Sequence, residues 1–204
     1  FCFNKDEKTI FINLNTKEKV SIEIVFTGRL YYQNTFVTSF DSKREENHKW
    51  SSKYIVYQLK PLKKLHELPH RYIGSGDRFE NHLLSFDNDT RQITSLSLTT
   101  GEYEWQTNLT EYCKYNLPDS DKEVQGMIRK VLGVYQDVLW VWIDNSRLVS
   151  LNIQTGTVLS SHRIPDLDPV LSNRNFLFPY FDEKKGVIAF LEHHYYVEFD
   201  LLTQ

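Results

Sequence analysis

One short pattern recurs along this chain: an alternating apolar strand runs into a turn and leaves along a second strand. Two copies share a closely matching turn, Ser95-Leu96-Ser97-Leu98-Thr99-Thr100-Gly101-Glu102-Tyr103-Glu104-Trp105 and Ser150-Leu151-Asn152-Ile153-Gln154-Thr155-Gly156-Thr157-Val158-Leu159-Ser160. Aligned on that turn, Leu14, Leu59 and Leu201 stand where these copies have Leu98 and Ile153, so the units lie 45, 39, 55 and 48 residues apart. A period in the forties means an array of small sheets, and four short antiparallel strands fill one such period. This is the arithmetic of a β-propeller, all-β, with about five repeat units.

The 204 residues could build one sizeable core or two small ones, and the repeat argues for one array, a single domain over 1–204. Aromatic residues make up 14% of the chain, which suits pleated, half-buried surfaces and so favours the all-β reading. The net charge of -3 comes from 24 basic and 27 acidic residues mixed along the chain, so no electrostatic footprint for nucleic acid is present. No stretch approaches the roughly 20 apolar residues of a membrane span. The longest apolar runs, such as Val138-Leu139-Trp140-Val141-Trp142-Ile143, are strand-length, and no membrane insertion is expected. The chain opens on Phe1-Cys2-Phe3 without an initiator Met or a signal-peptide core, as expected of a processed or trimmed protein, and its compartment is not legible. Cys2 and Cys113 are too few for a disulfide framework and read as buried thiols.

The clearest unit spans Ile128 to Arg163, with strands predicted at 128–134, 138–143, 147–152 and 157–163. Its separators, Tyr135-Gln136-Asp137, Asp144-Asn145-Ser146 and Gln154-Thr155-Gly156, carry residues that tolerate left-handed backbone. The preceding unit repeats the plan near Tyr72 and at 82–86, 92–98 and 103–108. Before it come 30–32, 35–40, 54–59 and 65–68, with the charged stretch Asp41 to Lys53 read as a solvated loop. Three strands at each end, 1–3, 9–14 and 20–26, then 176–180, 187–191 and 195–201, leave the terminal units incomplete. Either these strands close a small ring, which removes exposed edges, or the chain is part of a larger propeller. An insertion at 111–125 lengthens one interval, and the capping-box pattern Ser120-Asp121-Lys122-Glu123 predicts a short helix there ending near Met127.

The turn Thr100-Gly101-Glu102-Tyr103-Glu104-Trp105 resembles the repeat of the pyrroloquinoline-quinone-like propellers, in which a small residue and a strand Asp precede Thr-Gly and a Trp follows four residues after the Gly. Ser95, Ser97, Thr100, Gly101 and Trp105 stand at those positions; the second copy has Ser150, Asn152, Thr155, Gly156 and Ser160. The resemblance implies that these residues are structural and that Trp105 docks one blade on the next. The quinone-dependent enzymes of that family also carry adjacent cysteines and a calcium-binding acidic cluster. This chain has no Cys-Cys pair, so the resemblance points to the non-enzymatic branch of protein-binding scaffolds, with no cofactor and no metal expected.

The remaining chemical candidates read as structure. Asp87, Asp137, Asp144 and Asp182 could serve a glycan-cleaving or ligand-binding channel, but each sits among turn residues. Ser85-Phe86-Asp87-Asn88-Asp89-Thr90 falls short of a sialidase Asp box, with Asp89 at its Gly position. His193-His194 reads as a turn between strands. His66 and His70 have the spacing of a helical metal pair, but Pro69 intervenes, so both read as loop residues. Gly74-Ser75-Gly76-Asp77 reads as a hairpin turn, and the sequons at Asn88 and Asn108 match chance. The expected function is therefore a non-catalytic scaffold for a protein partner, recognised through Arg44, His48 and Trp50 of the charged stretch, since Trp and Arg are enriched among binding hot spots.

Overall fold

The structure, a computed structural model, describes residues 2–12, 16–22, 30–33, 36–44, 50–59, 62–69, 77–116, 121–144, 146–164, 178–192 and 195–202. Nearly all of them lie in short antiparallel strands or the turns between. The chain divides into two compact units, Phe1–Arg71 with Ser97–Glu102, and Tyr72–Leu96 with Tyr103–Gln204.

The first unit contains a three-stranded sheet of β1 (Cys2–Lys5), β2 (Lys8–Ile12) and β3 (Lys19–Ile22), paired in that order. The two residues linking β1 to β2, Asp6 and Glu7, both have positive φ (50° and 60°), the backbone of a tight primed hairpin turn. A four-stranded sheet follows, β4 (Leu30–Gln33), β5 (Phe36–Arg44), β6 (Trp50–Leu59) and β7 (Leu62–Pro69). Phe11, Tyr57 and Leu59, with Val20 and Ile55 against them, form the apolar cluster of this unit.

The stretch 41–53 departs from the loop reading. β5 continues to Arg44 and β6 begins at Trp50, with Asp41↔Lys53, Ser42↔Ser52, Lys43↔Ser51 and Arg44↔Trp50 in register. A hydrogen-bonded ladder satisfies the backbone without needing an apolar face, so charged residues do not end it. His48 lies outside the described residues.

The second unit holds three larger sheets. The first is β8 (Asp77–Phe79), β9 (His82–Asp87), β10 (Gln92–Ser97) and β11 (Tyr103–Asn108); the tip of its last hairpin belongs to the first unit. Tyr72 and 74–76 lie outside the described residues, and Asp77 begins a strand rather than ending a turn. A single helical turn, α1 (Thr110–Cys113), leads into a two-stranded hairpin of β12 (Lys114–Asn116) and β13 (Glu123–Gln125). The helix predicted after Ser120 is therefore a strand. Gly126, a poor helix former, follows it at once, and Glu123–Gln125 pair with Lys114–Asn116 instead.

The next sheet is β14 (Ile128–Tyr135), β15 (Val138–Ile143), β16 (Arg147–Asn152) and β17 (Val158–Arg163), all within one or two residues of the predicted bounds. The last is β18 (Phe178–Asp182), β19 (Val187–Glu192) and β20 (Tyr195–Asp200). β15 explains why its sequence does not alternate. Leu139, Val141 and Ile143 join a cluster with Leu84, Ile93 and Trp105, while Trp140 and Trp142 turn to the opposite face and pack with Ile188 and Phe190. A strand covered on both faces reads as a continuous apolar run.

Candidate functional site

The repeat motif builds the same small machine twice. In each copy the residue before the turn accepts hydrogen bonds from two backbone N–H groups: Ser97 Oγ from Thr99 (3.3 Å) and Thr100 (3.2 Å), Asn152 Oδ1 from Gln154 (2.9 Å) and Thr155 (3.0 Å). The glycine N–H then donates back to that residue's carbonyl, Gly101 to Ser97 and Gly156 to Asn152, both at 2.8 Å. Gly101 and Gly156 have φ of 77° and 70°, in the left-handed region that favours glycine. A third acceptor stands at the equivalent place in the last copy, where Asp200 Oδ1 accepts from the Leu202 N–H at 2.8 Å. The strand Asp absent from the two best copies is present there, and Asp200, directly before Leu201, was readable from the alignment.

The turn is also a seat. Trp105 is buried, its Nε1 donates to the Ile153 carbonyl at 2.7 Å, and its ring covers Gly156 so closely that a Cβ there would lie 2.5 Å from it. Thr107 Oγ1 adds a bond to the Gly156 carbonyl at 2.6 Å. Trp105 therefore packs its own sheet onto the turn of the next. Within the first unit His66 repeats the arrangement. It stands seven residues after Leu59, as Trp105 stands seven after Leu98, and its ring bonds the Thr99 carbonyl through Nε2 at 2.7 Å and covers Gly101. His66 lies in strand β7, within the strand predicted at 65–68 and not in a loop, held by the ladder to Val56.

At the third equivalent place Ser160 is too short to reach a neighbour. Its Oγ instead meets Ser150 Oγ (2.6 Å) and His162 Nε2 (2.7 Å). His162, two residues on, carries the contact to the last sheet through Phe199, their ring centroids 5.5 Å apart. Trp140 lies against both, its indole nitrogen buried and without a hydrogen-bond partner among the described residues.

The candidate acids are spent on structure. Asp87 accepts from the Asp89 N–H (2.7 Å) and Asp182 from the N–H groups of Lys184 and Lys185 (3.2 and 3.1 Å), the turn chemistry expected of them. Asp144 is buried, accepts from the Met127 N–H at 2.8 Å and pairs with Arg129 Nε, tying the start of β14 to the end of β15. Asp137 forms the β14–β15 turn with Gln136, both at positive φ. Asn88 uses its side-chain amide as a piece of strand, donating to the Ile128 carbonyl (3.0 Å) and accepting from the Ile128 N–H (2.7 Å). His70, His193 and His194 lie outside the described residues, among which no His, Cys, Asp and Glu group is arranged to hold a metal ion.

Cys113 is a free, fully buried thiol, and burial pushes its pKa up from 9.0 to about 11. Thiolate is the reactive form, so at pH 8 an alkylating reagent should modify Cys113 only as fast as the protein unfolds; labelling of folded protein at the free-thiol rate would contradict this. The sign for stability follows. The unfolded chain loses this proton first, so stability is undiminished below pH 9 and falls as the pH rises from 9 toward 11.

Of the three residues expected to bind a partner, Arg44 and Trp50 are register partners at the far end of the β5–β6 hairpin. Among the described residues, β4 pairs with β5 as far as Ser39 and β7 with β6 from Lys53 onward, so Ser42–Arg44 and Trp50–Ser52 pair there with each other alone.

No family model matches the sequence, and no curated protein matches it. Solved structures do. KlHsv2 with its loop 6CD replaced by a Gly-Ser linker superposes with a TM-score of 0.60 at 10% identity, over 98% of this chain and 59% of that one. The WD40 repeats of RRP9 match at 0.50 and 12%, over 91% and 54%. Sqt1 of Saccharomyces cerevisiae matches at 0.50 and 12%, over 96% and 55%. WD40 repeats are propeller blades. The fold is that of a β-propeller. The chain spans between half and two thirds of the length of each of these three structures.

Proposed function

We propose that this chain is a non-catalytic protein-binding scaffold, a single propeller domain over 1–204 with about five repeat units of the pyrroloquinoline-quinone-like kind. The observation that carries the reading is the ribbon of β5 and β6. Among the described residues it extends past its own sheet, and it holds Arg44 and Trp50 opposite one another. Arg and Trp are residue types on which protein interfaces concentrate their energy. His48 stands between the two strands in sequence and completes the proposed set. The engagement of Asp87, Asp144 and Asp182 in turns and clamps agrees with a scaffold. No feature of the described residues favours the enzyme reading.

The test is affinity capture from native extract with the intact protein, read by mass spectrometry, beside an Arg44→Ala, Trp50→Ala double variant with an unchanged unfolding transition. A saturable partner lost at least tenfold in the double variant is expected. A partner retained equally by both proteins would remove the ribbon from the interface, and the absence of any saturable partner would count against the scaffold.

A further inference from the structure

The inner strands of three successive sheets in the second unit meet around an apolar cleft of about 170 Å³, lined by Phe79, Leu84, Val131, Leu132, Val134 and Phe181, with Gly133 in its floor and Glu183 at its edge. Two features of the sequence hold it open. β14 bulges between Val131 and Gly133, and Gly133 lets the Phe181 ring lie where a side chain would stand, 2.6 Å from a Cβ built there. The cleft is therefore built by residue choice and is not a packing fault in a regular sheet. An engineered cavity of about 150 Å³ with Leu, Ile and Phe walls admits one benzene, so this volume fits a single phenyl ring.

Its lining holds one charged residue among those described, Glu183 of the β18–β19 turn, while the neighbouring Asp182 carboxylate lies 3.8 Å from Lys185 Nζ. Glu183 is exposed, with its carboxylate in no hydrogen bond or ion pair among the described residues. Resting on the scaffold reading, we propose that this cleft receives a phenylalanine side chain of a partner peptide in which a lysine or arginine neighbours the phenylalanine, the ring filling the apolar space and the cation meeting Glu183. The ring supplies the affinity, and the carboxylate selects the charge beside it.

The test is a fluorescence-anisotropy titration of the full chain with a labelled, end-capped Gly-Lys-Phe-Lys-Gly peptide and its Phe→Ala analogue, repeated on Glu183→Lys and on Leu132→Trp, a plug for the cleft. Saturable binding of the Phe peptide is expected, at least tenfold weaker for the Ala analogue, several-fold weaker for Glu183→Lys and absent for Leu132→Trp. Because Glu183 is exposed, its variant keeps the test valid should Leu132→Trp fail to fold. Equal binding of the two peptides, equal binding by Glu183→Lys, or no saturation up to about 1 mM overturns the proposal. Failure of the peptide with capture through Arg44 and Trp50 intact removes the cleft and leaves the scaffold standing.

Discussion

Trp105→Ala should be the most damaging single substitution in this chain, lowering unfolding free energy by about 3–5 kcal/mol. The ring seals one sheet against the turn of the next, and its N–H is the donor to the Ile153 carbonyl at 2.7 Å. Truncation removes the buried surface, opens a void over Gly156 and strands an acceptor together. Against a typical total of about 5–15 kcal/mol, such a loss is a third or more of the stability of many domains. Urea unfolding followed by far-ultraviolet circular dichroism reads it directly. Trp105→Phe separates the terms: the ring remains, the carbonyl loses its donor, and the cost should fall to about 1–2 kcal/mol. A Trp105→Ala protein within about 1 kcal/mol of the parent would mean that the sheets are held by something other than this seat.

Asp144→Ala ranks second, at about 2–4 kcal/mol. The carboxylate is only 3% exposed, and removing it leaves the Met127 N–H without its acceptor and the Arg129 guanidinium without its counter-charge. Asp144→Asn retains an acceptor and should recover roughly half of the loss. This result also bears on function. A channel acid of an enzyme can be removed with little or no penalty in stability, whereas a clamp between β14 and β15 cannot. An unfolding midpoint unchanged in Asp144→Ala would reopen the catalytic reading.

What the sequence made legible follows from which forces are local. Strands β14 to β17 could be placed within one or two residues because alternation and turn chemistry act between near neighbours, and Gln136-Asp137 and Thr155-Gly156 mark their ends without help from the rest of the chain. The role of Trp105 was legible because a large apolar residue after a Thr-Gly turn has few other uses on a blade. For His66 the strand at 65–68 was legible and the loop reading was not correct, while its seat over Gly101 was hidden because it depends on a long-range contact. The charged stretch 41–53 failed differently, since apolar alternation reports burial and a ribbon without an apolar face gives none. Near Ser120 a local capping pattern lost to a strand pairing with Lys114–Asn116, which the residues around Ser120 do not report by themselves. The cleft beside Gly133 had no signature at all, because its walls come from three different sheets.

Two turn glycines lie under a ring from another strand, Gly101 under His66 and Gly156 under Trp105, and the second of these seats can be read at one proton. In a proton–nitrogen correlation spectrum the indole N–H of Trp105, assigned by its disappearance in Trp105→Phe, should exchange with solvent orders of magnitude more slowly than a free indole. Gly156→Ala, which puts a Cβ into the ring, should abolish that protection. An indole that exchanges at the free rate in the parent protein, or one whose protection survives Gly156→Ala unchanged, would contradict the account.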